Sequence, residues 1–153
     1  MGRTIESRRT QTLAPVPRLQ RRNHAKLGIL ASSAMFAGAA LVAWSAVIHL
    51  HLWTIGYRHI PSIGPLFLFQ SIAGFVIASA IAGTRRAIPA LVGAALLASS
   101  VGGLLLSAWV GLFGFHDGLD APFAKLSLVV EGAGIAVLIA GAWLRTFRSH
   151  PGQ

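Results

Sequence analysis

The sequence predicts an all-α, polytopic membrane protein, an antiparallel four-helix transmembrane bundle with both termini in the cytoplasm. The 153-residue chain is 54% hydrophobic and 11% charged, which is far too apolar for a soluble domain of its size. Four long apolar runs alternate with short polar connections. Eleven of the thirteen Lys and Arg residues lie in the N-terminal tail, in the turn at Arg85 and Arg86, and near the C-terminus at Arg145 and Arg148. Because basic residues accumulate on the cytoplasmic side of membrane proteins, this alternation also predicts the orientation.

Each apolar run is long enough to cross a bilayer. The first, residues 27–48, has no charge over 22 positions, which is about 33 Å of helix. The others cover residues 63–83, 88–115 and 126–144, with Gln70 in the second and Glu131 in the fourth. We therefore expect a disordered basic cytoplasmic tail over residues 1–26, a transmembrane domain over 27–148 and a short C-terminal tail over 149–153. The first helix lacks a suitable small-x-small cleavage site, so we expect it to be retained.

The charge and composition also bear on partners and location. The net charge of +9 is concentrated at helix ends on one side, which favours topology and anionic lipid over nucleic acid as its cause. The absence of cysteine excludes disulfides and thiol chemistry. Eleven Arg against two Lys, with abundant Ala and Gly, is typical of a high-GC bacterial coding sequence. We expect a multi-pass protein of the bacterial inner (plasma) membrane, with the lipid bilayer as its main partner.

Polar residues at membrane depth are costly, and this chain places one on each predicted helix at a similar outer depth. They are His49, Gln70, Ser107 and Glu131. If these faces point inward, the layer would form a proton- or ligand-binding site centred on Glu131 and His49. The alternative is a set of interhelical hydrogen bonds with a purely structural role, each contributing about 0.6 kcal/mol.

A second polar group is expected in the outer loops. Its members are His51, Tyr57, Arg58, His59, His116, Asp117 and Asp120. His and carboxylate side chains can bind metals, so a metal or haem site is an alternative, although no cofactor is predicted. Positions i and i+2 point about 200° apart on a helix, so only one of His49 and His51 can face the bundle. For Arg58 and Lys125, we expect a salt bridge between the two outer loops or, for Arg58 with Tyr57, a role in binding an anionic headgroup.

Small residues spaced four apart predict close helix contacts. The sets are Gly74, Ala78 and Ala82 in the second helix, Gly103, Ser107 and Gly111 in the third, and Gly132, Ala136 and Ala140 in the fourth.

The segment from His49 to Gln70 resembles one group of known proteins. Its pattern G-Y-R-x-I-P-x-I-G-x-L-F, together with the later F-G-F-H-D and Glu131, is similar to small, uncharacterised four-helix integral membrane proteins of actinobacteria. The resemblance covers about residues 35–145. It implies a membrane location and a topology but no activity.

The sequence favours a membrane protein that acts as an accessory or structural partner in a larger assembly. The outer loops are short, and no nucleophile–base pair or cofactor motif is evident, so an enzyme is not expected. The alternative is a small oligomeric transporter, or a metal- or haem-handling protein, that uses the outer polar layer. The expected partners are thus lipid, another membrane protein or further copies of the chain, and not nucleic acid.

Overall fold

In a computed structural model, the described residues form four long α-helices and one short 3-10 turn. Helix α1 spans Arg18–Ile55, the 3-10 turn Tyr57–His59, α2 Ile63–Thr84, α3 Ala87–Trp109 and α4 Ala124–Arg148. The structure describes residues 18–116 and 118–148, and the side chains of 25–116 and 118–146. Each helix contains a stretch long and apolar enough to cross a membrane. The all-helical, multi-pass class predicted from the sequence is therefore confirmed.

Two helix boundaries differ from the prediction. Helix α1 begins at Arg18, inside the expected tail, because the residues after Pro17 are good helix formers uninterrupted by proline. The rest of that tail, and the C-terminal tail over 149–153, lie outside the described residues. Helix α3 ends at Trp109 and not near residue 115. Backbone φ angles of +88° at Gly111 and +78° at Gly114 are incompatible with a right-handed helix, and they fold residues 111–115 into a tight turn.

Neighbouring helices pack antiparallel. Ser45 of α1 contacts Glu131 of α4, while Ser32, earlier in α1, contacts Arg145, later in α4. We call the end of the bundle that carries the 3-10 turn and the α3–α4 connection the upper end. The lower end carries the α2–α3 turn.

The two halves of the bundle are packed differently. In the lower half, apolar side chains from all four helices fill the interior, and Met35, Ile81, Leu97 and Leu138 are fully buried. In the upper half, a cavity separates α2 from α3. The apolar core therefore lies in the lower half, and the cavity that Glu131 borders lies above it.

The small-residue spacing identified the contact face of α2 but not that of α4. Gly74 and Ala78 are buried, and a Cβ atom added at Gly74 would lie only 2.8 Å from Ala46 Cβ. The α4 prediction was wrong, since all three of its positions are exposed: Gly132, Ala136 and Ala140. Helix α4 instead turns Glu131 and Leu138 inward. Spacing of four defines a face of a helix but does not say whether that face points to protein or to lipid.

Candidate ligand-binding site

Glu131 is the centre of the polar network in the upper half. Its side chain is 0% exposed, and its Oε1 accepts hydrogen bonds from Ser45 Oγ of α1 at 2.7 Å and from Ser100 Oγ of α3 at 2.8 Å. A carboxyl group buried at membrane depth is tolerated only when other groups compensate its lost hydration. The two serines provide part of that compensation and tie α1, α3 and α4 together.

His49 extends the network along α1. Its Nδ1 lies 2.9 Å from the Ser45 carbonyl oxygen, and because a carbonyl only accepts, Nδ1 carries the hydrogen. Its Nε2 lies 3.1 Å from Ser100 Oγ. Nδ1 is also 3.9 Å from Glu131 Oε1. His49, Ser100 and Glu131 thus form a continuous hydrogen-bonded chain, which we call the triad without implying catalysis.

The second carboxyl oxygen of Glu131 is unsatisfied. Oε2 is buried and has no hydrogen-bond partner among the described residues. A buried acceptor that lacks a partner costs about 1–3 kcal/mol, so such atoms are uncommon in native proteins. No donor from the described part of the chain reaches this atom.

Glu131 borders the cavity between α2 and α3. The cavity has a volume of about 340 Å³, within the range of about 300–1,000 Å³ typical of small-molecule sites. Apolar side chains from α2, α3 and the α3–α4 connection form most of its wall, among them Leu66, Leu104 and Phe113. A mainly apolar space with a few convergent polar groups is the usual form of a ligand pocket.

Aromatic rings line the upper part of this cavity. Tyr57 stacks on Phe67 with ring centroids 4.9 Å apart and an interplanar angle of 21°. Phe115 meets Tyr57 edge-on at 5.9 Å, and the His49 ring lies 5.1 Å from that of Phe67. The aromatic group therefore connects the 3-10 turn and the α3–α4 connection with the triad.

All four residues of the predicted polar layer line the cavity, but they do not all contact one another. His49 and Glu131 come together in the triad. Gln70 is buried and lines the same cavity. Ser107 also lines the cavity, but its hydroxyl donates to the Phe115 carbonyl oxygen at 3.3 Å and so braces the α3–α4 connection. It lies two helical turns, about 10 Å, above the serine that reaches Glu131.

Sequence reasoning missed Ser45 and Ser100. Ser45 stands four residues before His49, which puts both on one helical face, and this spacing was a usable signal. Ser100 lies in the middle of an apolar run beside Ser99, and nothing local distinguishes the two. The rotation of α3 about its own axis determines that Ser100, and not Ser99, faces Glu131. This rotation depends on how α3 packs against the three other helices.

The histidines and Tyr57 of the predicted outer-loop group are dispersed. His51 is exposed on the other side of α1 from His49, and its ring packs edge-on against Phe123 at 5.3 Å. Tyr57 lines the cavity, whereas the exposed His116 packs against Gly111. Among the described side chains, no group of three or more His, Asp or Glu residues is placed to hold a metal ion.

The expected salt bridge between the two outer loops does not form among the described residues. Lys125 Nζ, in the first turn of α4, pairs at 3.5 Å with Asp120 Oδ1 of the connection that precedes this helix. Arg58 Nε donates to the ring of the next residue, His59, at 3.0 Å. Lys125 is therefore paired locally with a carboxylate, whereas the contact of Arg58 is to a ring nitrogen, and Glu131 is too deeply buried to pair with either. Asp117 lies outside the described residues.

Comparison with protein-family models, with curated proteins and with solved structures finds no significant match to this chain.

Proposed function

We propose that this protein binds a small amphiphilic organic molecule in the membrane, in the cavity between α2 and α3. The apolar part of the ligand would lie against the aromatic wall. Because Oε2 is enclosed in the unliganded protein, the Glu131 side chain would turn this oxygen toward the cavity to accept a hydrogen bond from the polar group of the ligand. The observation that carries this proposal is the buried carboxyl oxygen without a partner beside a cavity of about 340 Å³.

A purely structural role explains this geometry less well. The cavity opens at the surface of the bundle, since Phe69 and Phe113, which line it, are 64% and 69% exposed, so a ligand has a route into it. A carboxyl group whose role is only to join helices is expected to accept hydrogen bonds at both oxygens. In this protein both serine hydroxyls donate to the same oxygen, Oε1 of Glu131. A ligand that donates to Oε2 would fill the void and satisfy the missing hydrogen bond together.

The proposal is tested by filling the cavity. Gly103 lines it, and a Cβ atom added there would meet nothing within 4 Å, so Gly103→Leu should occupy the cavity without disturbing the backbone. Gly102 is the matched control, because it is exposed and is equally free of neighbours within 4 Å. Binding of 2-phenylethylamine is measured by calorimetry on the full chain in detergent micelles. We expect the wild type and Gly102→Leu to bind it and Gly103→Leu to lose binding at least tenfold. Equal affinity in all three proteins would refute the assignment of the cavity.

We further propose that the upper end faces the outside of a bacterial plasma membrane, with both termini cytoplasmic. The support is the charge distribution, since the lower end carries Arg85, Arg86 and Arg145. Because the chain has no cysteine, single substitutions can report the orientation directly. An impermeant maleimide added to intact cells should label Gly118→Cys, in the α3–α4 connection, and spare Gly83→Cys, near the α2–α3 turn. The reverse labelling would contradict this orientation.

An accessory role in a larger membrane assembly is the second candidate. Its support is that helix connections are short and that the exposed surface of the helices is largely apolar, including the small-residue face of α4. Purification in mild detergent followed by mass spectrometry tests it. A stoichiometric partner retained by Gly103→Leu would favour this role, whereas a partner-free chain that binds ligand would oppose it.

A further inference from the structure

We infer that the ligand carries a single positive charge and that its binding displaces one proton held jointly by Glu131 and His49 through Ser100. This inference rests on the proposed binding function and specifies its ligand class: a monoamine in its protonated form, with an apolar body. It also gives the site a coupling to protons that ligand binding alone does not require.

Few charged or titratable groups border the cavity. No Lys or Arg is among the described residues that line the cavity. The titratable side chains in its lining are His49 of α1, Tyr57 of the 3-10 turn and Glu131 of α4. Helices α2 and α3 contribute only uncharged groups. The nearest basic side chains by sequence, Arg58 and Lys125, are exposed and contact other residues. A negative charge on Glu131 is thus compensated within the described protein by His49 alone.

The hydrogen-bond geometry of the triad limits how many protons it holds. Ser100 Oγ has one hydrogen but two short contacts, at 2.8 Å to Glu131 Oε1 and at 3.1 Å to His49 Nε2. If the hydroxyl donates to the carboxylate, it must accept from Nε2. Because Nδ1 already carries a hydrogen, His49 is then an imidazolium. If the hydroxyl donates instead to Nε2, Oε1 must carry a proton and donate to Ser100.

Both arrangements contain the same number of protons and the same net charge. They differ by the transfer of one proton along the chain from Glu131 through Ser100 to His49. Removal of this proton leaves a carboxylate and a neutral ring that compete for the single hydroxyl hydrogen, so one of the two contacts is lost. The intact network therefore matches the state in which one proton is shared.

A monocation is the ligand group that can replace that proton. At Oε2 a protonated amine supplies the missing donor and the positive charge, so the site keeps its net charge when the shared proton leaves for solvent. No covalent bond is made or broken in this exchange. The rings of Tyr57, Phe67 and Phe115 add a surface that attracts cations through its π electrons. A carboxylate ligand would meet repulsion from Glu131, and a neutral alcohol would bind without releasing a proton.

The test compares 2-phenylethylamine with 2-phenylethanol, two molecules of the same shape that differ in charge. Below about pH 8 the amine stays protonated, as the lysine side chain does with a pKa of about 10.4. We expect the affinity of the protein for the amine to rise by up to roughly tenfold per pH unit between about pH 6 and about pH 8. In weakly buffered solution, one proton should be released for each amine molecule bound. The affinity of the alcohol should not change with pH. Glu131→Gln should abolish the preference for the amine while keeping the alcohol.

The outcomes separate the two levels of the proposal. If the alcohol and the amine bind equally, without pH dependence or proton release, the cavity binds ligands but the cation–proton exchange is refuted. If neither binds to the wild type, the binding function itself fails. Proton release is measured on the wild-type protein, so the inference remains testable even if Glu131→Gln does not fold. Amine binding without proton release would overturn the exchange by itself.

Discussion

Replacement of Ser100 by alanine tests whether the triad connects the helices as described. The change removes the hydroxyl that contacts Glu131 at 2.8 Å and His49 at 3.1 Å, so α3 loses its two hydrogen bonds to α4 and α1. Interhelical hydrogen bonds in membranes contribute about 0.6 kcal/mol on average and up to about 1.7 kcal/mol each. We therefore expect Ser100→Ala to lower the free energy of unfolding by about 1.2 kcal/mol.

The neighbouring residue supplies the control for this prediction. Ser99 Oγ donates at 2.7 Å to the Leu96 carbonyl oxygen of its own helix, so Ser99→Ala removes no interhelical contact. Alanine is also the better helix former, and we expect no loss of stability. Both variants are measured by equilibrium unfolding in mixed micelles, with increasing SDS and circular dichroism as the signal. Equal stabilities for the two variants would refute the assigned rotation of α3 and, with it, the triad.

Two further substitutions test the packing and the surface of the bundle. Gly74→Ala places a Cβ atom 2.8 Å from Ala46 Cβ, closer than the roughly 3.5–4.0 Å of carbon–carbon contact, and should cost about 1–3 kcal/mol in the same unfolding assay. Gly102→Ala, with nothing within 4 Å, should cost nothing, and equal losses in the two variants would contradict the α1–α2 contact. Lys125→Ala breaks an ion pair with Asp120, and the two side chains are 78% and 99% exposed. The free energy of unfolding, measured by thermal unfolding, should therefore change by less than about 1 kcal/mol. A loss above about 2 kcal/mol would show that the pair is not a surface contact.

The fold class was predictable because it depends on properties that hydropathy reports. Apolar runs of about 20 residues, charge-free except for Glu131, indicate helices that cross a bilayer, and this inference does not depend on how each helix is rotated. The end of α3 was not predictable in this way. Residues 110–115 are as apolar as the helix before them, and the chain leaves the helix because Gly111 and Gly114 adopt left-handed backbone conformations.

The candidate site was predictable only for the residues whose type is unusual in an apolar helix. Glu131 and His49 stand out because charge and imidazole are rare within apolar runs, and such groups usually face protein. Ser100 does not stand out, since a serine within a helix can satisfy its hydroxyl on the preceding turn, as Ser99 does. The wrong face predicted for α4 has the same origin. Helix rotation is determined by packing between helices that are distant in sequence, as in the contact of Gly134 with Leu97.

The halves of the bundle correspond to two physical tasks. The lower half buries large apolar side chains from all four helices in one core. The upper half leaves a cavity and an unsatisfied carboxyl oxygen, which a helix bundle built only for stability would not be expected to retain. This division is the reason for placing the proposed activity at the upper end.

The position of a bound ligand tests the central claim most directly. A structure of the protein with 2-(4-bromophenyl)ethylamine, with the bromine located by its anomalous scattering, would show where the molecule lies. We predict the bromine between the apolar walls of α2 and α3 near Phe67 and Leu104, and the amine nitrogen within about 3.2 Å of Glu131 Oε2. A bromine on the lipid-facing surface, with the cavity unfilled and Oε2 without a partner, would contradict the account.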